Sequence, residues 1–372
     1  MDPRDILMSE ETLFKNEEVF TPHHIPEDFI HRDDQLKEIS LSLKPGLRGV
    51  NPINTLVHGP PGTGKTTAVK YLFNQVSEMT GKIVTVYVNC EDNNTRFSIF
   101  SKIHEAVYGH SPPDTGKPLN TVKEKIFKKL EREGKSLCVA LDEIDLLFLN
   151  KTVDKLLIDL LKAHSTYGYD KVGVIGIMID ESVMRKLEAK TISVFNPVRV
   201  YFPPYDTGEV ADILGRRVKY GLYDDVISKD HVEYIAGKTS AVGDLRVGID
   251  LIRRSALLAE RDAARKVTKE HIDEAYQNDS RNMQLKETIK TLDDNEKRLL
   301  SVIMSLDGEK SGKIYDDMRG HTGVGIKKYN EIIKKLEHYK LIDTVAADGR
   351  GQTRHIRLRN PPEEVGKALE AV

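Results

Sequence analysis

Two cysteines in 372 residues are too few for a disulfide framework. Cys90 and Cys138 each lie in an apolar, strand-like stretch with no second Cys or His at metal-ligand spacing, which predicts buried reduced thiols and no zinc site. No apolar run is long enough to cross a bilayer, and the opening Met-Asp-Pro-Arg-Asp lacks the apolar stretch of a secretory leader. The expectation is a cytoplasmic chain with no membrane partner. A net charge of −2 excludes a polycation or polyanion overall, yet it hides a local excess. From Lys310 to Arg359 there are twelve Lys/Arg against six Asp/Glu, which directs a polyanionic partner to that end alone. The length predicts two or three domains.

What is present begins with Gly59-Pro-Pro-Gly-Thr-Gly-Lys-Thr66, a match to G-x-x-x-x-G-K-[ST]. Glycines at 59, 62 and 64 let a phosphate approach bare backbone N–H groups. Lys65 supplies charge to the β/γ-phosphates, and the Thr66 hydroxyl is placed for Mg²⁺. Thr55–His58 reads as a buried strand entering the loop and 66–76 as a helix whose N-terminus faces the anion. The candidate nucleotide-binding set is Pro60, Gly62, Thr63, Gly64, Lys65, Thr66 and Thr67, with ATP/ADP and Mg²⁺ as cofactors.

The second chemical element is Ser136-Leu-Cys-Val-Ala-Leu-Asp-Glu-Ile-Asp145. An uninterrupted apolar strand belongs in the middle of a parallel sheet, and acids at its C-terminal end fall where such sheets bind ligands. Asp142 is positioned to hold Mg²⁺ through its water shell, and Glu143 to orient and deprotonate an attacking water. Asp145 is expected to cap the next helix. Further apolar strands at 171–180 and 198–202 alternate with helices, which predicts a doubly wound parallel α/β sheet.

Ahead of the loop, Pro22 and Pro26 forbid a helix, and Asp33 or Asp34 can cap one running to Leu43. This extended stretch either closes over an adenine base or serves as a plain surface connection. After Pro203-Pro204 the periodicity is helical only, at 207–220, 228–237, 243–261 and 268–277, an all-α lid. Arg246 opens the third of these helices, from where it could swing onto a γ-phosphate. Residues 278–290 read as a polar hinge.

The C-terminal part reads as three helices, the third over 326–339 with Ile332, Ile333 and Leu336 inward and Lys327, Lys328, Lys334 and Lys335 outward. Two strands then flank Asp348-Gly349 as a basic hairpin. That is the pattern of a winged helix-turn-helix, with the third helix in the major groove and Arg350 and Arg354 on the wing against the DNA backbone or minor groove. A solvated basic face on a protein-binding winged helix is the alternative. The expected division is 1–205, an α/β nucleotide-binding core; 206–285, the lid; and 286–372, the DNA-binding part.

Together, Phe14-Lys-Asn-Glu-Glu-Val-Phe20, His31-Arg-Asp-Asp-Gln35, the P-loop, Leu141-Asp-Glu-Ile-Asp145, Phe202-Pro-Pro-Tyr-Asp206, Gly243-Asp-Leu-Arg246 and Gly349-Arg-Gly351 give a chain that resembles the archaeal origin-recognition and helicase-loader initiators, a clade of AAA+ ATPases. The resemblance implies that Arg246 is the sensor-2 arginine and that Ile25 and His31 flank adenine. Tyr205 joins that set. It also implies that a helical insertion within 91–115 touches DNA. The implied partners are double-stranded origin DNA, the MCM helicase and paralogous initiators, and the implied setting is the nucleoid.

Two departures stand out. Ile179 replaces the polar residue that helps place the attacking water, and Lys190 stands where many relatives offer an arginine to a neighbouring subunit. A lysine cannot reproduce the bidentate fork. Both predict a weak ATPase acting as a slow switch. The alternatives are a Holliday-junction branch-migration motor, which the lack of that arginine disfavours, and an ATP-dependent DNA-binding regulator.

Overall fold

A computed structural model of the chain describes residues 12–112, 118–149, 152–278, 280–346 and 354–370. The chain divides into two compact units. One comprises 21–213 and 243–246; the other comprises 214–242, 247–372 and the segment ending at Phe20.

The first unit is built on five strands: β1 Thr55–His58, β2 Ile83–Asn89, β3 Ser136–Asp142, β4 Val172–Met178 and β5 Val198–Tyr201. They form one sheet in the order β2-β3-β4-β1-β5, and every neighbouring pair is parallel. β3 and β4 are buried along their whole length, as expected of central strands covered on both faces. Successive residues point to opposite faces, and two cores result. Leu137, Val139 and Leu141 pack with Phe100, Ile126 and Phe127 from the helices Arg96–Tyr108 and Leu119–Arg132. Cys138 and Ala140 pack with Val69, Leu72 and Phe73 from the helix Lys65–Met79. Both cysteines are buried free thiols, and burial pushes the Cys90 thiol up to about 12.

The helix Asp33–Leu43 corrects the capping expectation. Arg32 occupies its N-cap position without a side-chain cap bond, and Asp33 and Asp34 lie in the first turn, where carboxylates favour the helix dipole.

In the second unit, Lys229–Val242, Leu245–Arg261 and Lys269–Gln277 are helices. The N-terminal segment is fastened to this unit: Leu13 N–H donates to Glu260 Oε1 at 2.6 Å, and Arg217 donates to the Val19 carbonyl at 2.7 Å. The polar hinge expected over 278–290 is instead the helix Ser280–Lys290. Leu285 and Ile289, one turn apart, bury into the C-terminal core, so packing overrides a weak local signal.

Three further helices follow, Asp294–Ser305, Ser311–Thr322 and Ile326–His338. Asp293 and Glu296 form a capping box at the first. Antiparallel strands β6 Ile342–Ala346 and β7 Arg354–Leu358 come next, paired from Ile342↔Leu358 to Ala346↔Arg354. A helix absent from the sequence reading, Pro362–Glu370, buries Val365 and Ala368 in the same core. No described helix is long and apolar enough to cross a membrane.

Candidate nucleotide site and basic helix

The P-loop helix begins at Lys65, with Gly64 as its N-cap in the left-handed region at φ +89°. All three of the loop's glycines are required by the protein's own contacts as well as by any ligand, Gly59 against the Phe202 carbonyl. At Gly62, φ +71°, an added Cβ would lie 2.2 Å from Asp244 Oδ1; at Gly64 it would lie 2.8 Å from the Tyr205 hydroxyl and 3.2 Å from the Phe29 ring. Thr63 Oγ1 donates to the Pro60 carbonyl at 2.9 Å, which closes the loop on itself.

Lys65 is 8% exposed. Its Nζ donates to the carbonyls of Gly59 and Pro60, each at 2.7 Å. Burial pushes the ammonium down to about 8, against the opposing pull of Asp142. The Thr66 hydroxyl donates to Asp142 Oδ2 at 2.7 Å, and Asp142 Oδ1 accepts the Glu143 N–H at 3.0 Å. Thr66 and Asp142, the pair expected to hold Mg²⁺, are thus brought together across 76 residues of sequence. Two hard oxygens beside a phosphate loop fit that ion, which keeps several waters and takes phosphate oxygens for the rest. The described residues contain no cluster of three or more His, Cys, Asp or Glu arranged for a metal.

Glu143 follows the strand at φ +54°, a left-handed conformation that is costly for a non-glycine residue. Its carboxyl is raised above the usual glutamate range, first by burial and then by Asp142, Glu91 and Asp145, with Arg246 opposing. Arg246 is held by Asp244: its Nε donates to Oδ1 at 2.9 Å and Nη2 to Oδ2 at 2.7 Å. Ile179 is 55% exposed, and Lys190 pairs with Glu188 at 3.1 Å on the surface.

The stretch before the first helix is fastened to the loop by Arg32, a residue to which sequence reasoning gave no role. Arg32 is 2% exposed. It donates to the carbonyls of Thr63, His31 and Pro203 at 3.2, 2.8 and 2.7 Å, and its guanidinium lies 3.5 Å from the centre of the Tyr205 ring. His31 takes φ +60° and its Nε2 lies 3.2 Å from Asp212 Oδ2. Ile25 is half-buried in the same irregular stretch, and Thr67 is half-buried in the first turn of the P-loop helix. Phe29 stacks on Tyr71 at 5.8 Å between centroids. Tyr87 was also missed; its hydroxyl donates to Asp142 Oδ2 at 2.7 Å. Pairing β2 beside β3 in parallel register would have brought it to notice, since Tyr87 faces Ala140 and Asn89 faces Asp142.

In the other unit, the helix Ile326–His338 buries Tyr329, Ile332, Ile333 and Leu336. Lys327, Lys328 and Lys334 are exposed. Lys335 departs from the expected outward set: its Nζ donates to both oxygens of the buried Glu296 at 2.8 Å, because an unpaired buried carboxylate would be costly. Arg354 is exposed on β7. Arg350 and the hairpin tip lie outside the described residues.

A sequence profile described as an AAA domain matches residues 52–179, and one described as a Cdc6 AAA+ ATPase-type lid domain matches residues 211–277. The solved structure of the Aeropyrum pernix ORC1 protein in complex with DNA is 28% identical and superposes with a TM-score of 0.67, covering 98% of each chain. The Aeropyrum pernix ORC2 protein, solved as ADPNP–ADP complexes, gives a TM-score of 0.70 at 22% identity over 96% of this chain and 99% of that one, a likeness of fold. The ORC1-type DNA replication protein 2 of Methanosarcina mazei is 38% identical over 372 residues, 100% of both chains. With a relative this similar along its entire length, the chain belongs to the family of ORC1-type DNA replication proteins.

Proposed function

We propose that this chain is a DNA replication initiator that binds duplex origin DNA, holds ATP or ADP as a slow switch, and helps recruit the MCM helicase. One observation carries the reading: a P-loop whose threonine hydroxyl bonds the aspartate of an Asp-Glu pair, in a chain matched from end to end by replication proteins. The three-part division 1–205, 206–285 and 286–372 is kept as its functional outline. Paralogous initiators remain candidate partners, and the nucleoid its place of action.

In this reading the Gly59–Thr66 loop takes the phosphates and Lys65 exchanges its two carbonyl partners for phosphate oxygens. Thr66 and Asp142 would hold Mg²⁺, which supplies charge neutralisation at the phosphates. Glu143, with its raised carboxyl, accepts a proton from the attacking water. Arg246 leaves Asp244 for the γ-phosphate, so the lid's first turn distinguishes ATP from ADP. The exposed Ile179 and the Glu188-paired Lys190 support slow turnover.

On the DNA side, helix, helix, helix and antiparallel pair support a winged helix, and the A. pernix protein solved with DNA supports duplex binding. Lys327, Lys328 and Arg354 are the described candidates for phosphate contact; Arg350, outside the described residues, is a candidate from the sequence alone. The test is a salt series of duplex binding by the full chain on an origin fragment and on a scrambled duplex of equal length. Preference for the origin is expected at every salt concentration. Equal affinity for the two duplexes throughout removes origin recognition and leaves only general DNA binding.

A further inference from the structure

We infer that Tyr87 is a positioning residue for the cation-holding pair: its hydroxyl fixes the Asp142 carboxylate so that one oxygen stays on Thr66. The inference rests on the nucleotide reading proposed above and assigns a role to a residue outside the P-loop and the acid pair.

The geometry begins with strand register. Tyr87 and Asn89 on β2 oppose Ala140 and Asp142 on β3. Side chains two residues apart share a face, so the phenol stands beside the Asp142 carboxylate, on the face covered by the P-loop helix. Lys70 of that helix lies over the phenol ring, 4.1 Å from its centre. The hydroxyl then donates to Asp142 Oδ2 at 2.7 Å, the same oxygen that accepts the Thr66 hydroxyl at 2.7 Å. The other oxygen accepts the Glu143 N–H at 3.0 Å.

A carboxylate torsion is broad and roughly two-fold when nothing holds it. Here three donors converge on its two oxygens and select one orientation. Two of them come from groups with other work in the proposed site: Thr66 would supply a hydroxyl oxygen to the cation, and the Glu143 backbone sits in a strained turn. Tyr87 alone comes from a neighbouring strand with no such second task. Partners of this outer kind commonly contribute 10- to 100-fold to metal affinity.

Tyr87→Phe keeps the ring, its place under Lys70 and its share of the core, and removes only the donor. The measurement is retention of a fluorescent ADP by the full chain as Mg²⁺ is titrated, beside the same binding in EDTA. The expected result is a rise of about tenfold in the Mg²⁺ midpoint, with affinity in EDTA unchanged within about twofold. An unchanged midpoint overturns the inference. A shift of equal size in Lys70→Ala, which spares the hydroxyl, also overturns it, because packing of the helix on the strand would then be the cause. A wild-type chain that binds no fluorescent ADP with or without Mg²⁺ is a different failure: it takes away the nucleotide reading, and the inference with it.

Discussion

Lys65 is buried and bonds two carbonyl oxygens at 2.7 Å, whereas Lys327 and Lys328 stand exposed and pair with no described residue. The same side chain is used in two regimes. Around the P-loop, Lys65 and Asp142 are removed from water and held by named partners, Lys65 by the loop and Asp142 by Thr66, Tyr87 and Glu143. At Lys327, Lys328 and Lys334 of the helix 326–338, charge stays exposed to water, suited to a polyanion whose attraction is long-ranged and tuned by salt. Buried charge gives steep, all-or-none dependence on single groups; hydrated charge gives graded, nearly additive dependence on many.

The largest expected effect lies in the buried regime. Lys65→Ala should weaken binding of fluorescent ADP by on the order of 100-fold or more. Glu143→Ala should leave ATP binding intact and slow hydrolysis by about 100- to 10,000-fold. Phosphate release with radiolabelled ATP separates the two, and hydrolysis at the wild-type rate in the Glu143 variant would withdraw the proton-accepting role from that residue.

A middle-sized effect comes from pH. Lys65 ionises at about 8 in this structure, and only its protonated form attracts phosphate, so nucleotide affinity should fall as pH rises above that value, by up to about tenfold per unit. The sign is opposite for Glu143. Its raised carboxyl must be ionised to accept a proton, so hydrolysis should be lost on acidification at a higher pH than an ordinary glutamate would give. Affinity and turnover profiles with no such opposed slopes would break the contrast between the regimes.

The smallest effects belong to the hydrated regime. Lys327→Ala and Lys328→Ala should each lower the slope of log affinity against log salt by about one unit if the lysine meets one phosphate, with little change in sequence preference. An unaltered slope in both would remove this helix from the DNA backbone.

The arrangement of the P-loop was legible because it depends on residue types at fixed spacing: Gly62, Gly64, Lys65 and Thr66 sit close together in the chain, and Asp142 ends an apolar run that forms a buried strand. Arg32 and Tyr87 were hidden for the opposite reason. Each acts on a partner fixed by sheet packing, Tyr87 on a carboxylate 55 residues away and Arg32 on a carbonyl 31 residues away, and no local pattern records such pairing. The helix Ser280–Lys290 was missed because its own sequence is polar; Leu285 and Ile289 have value only once the C-terminal core is there to receive them. Lys335 was placed outward by periodicity, but a long side chain can turn back along the surface, and Glu296 gives it a reason to do so.

The Lys65 ammonium is shared between two carbonyls of its own loop. Two neutral carbonyls occupy the ammonium, and only a ligand bearing stronger acceptors can displace them at a gain. A nucleoside or a monophosphate too short to reach that point would leave the lysine where it is. Under the proposed nucleotide reading, chain length in the polyphosphate would then be sensed by competition with the protein's own backbone.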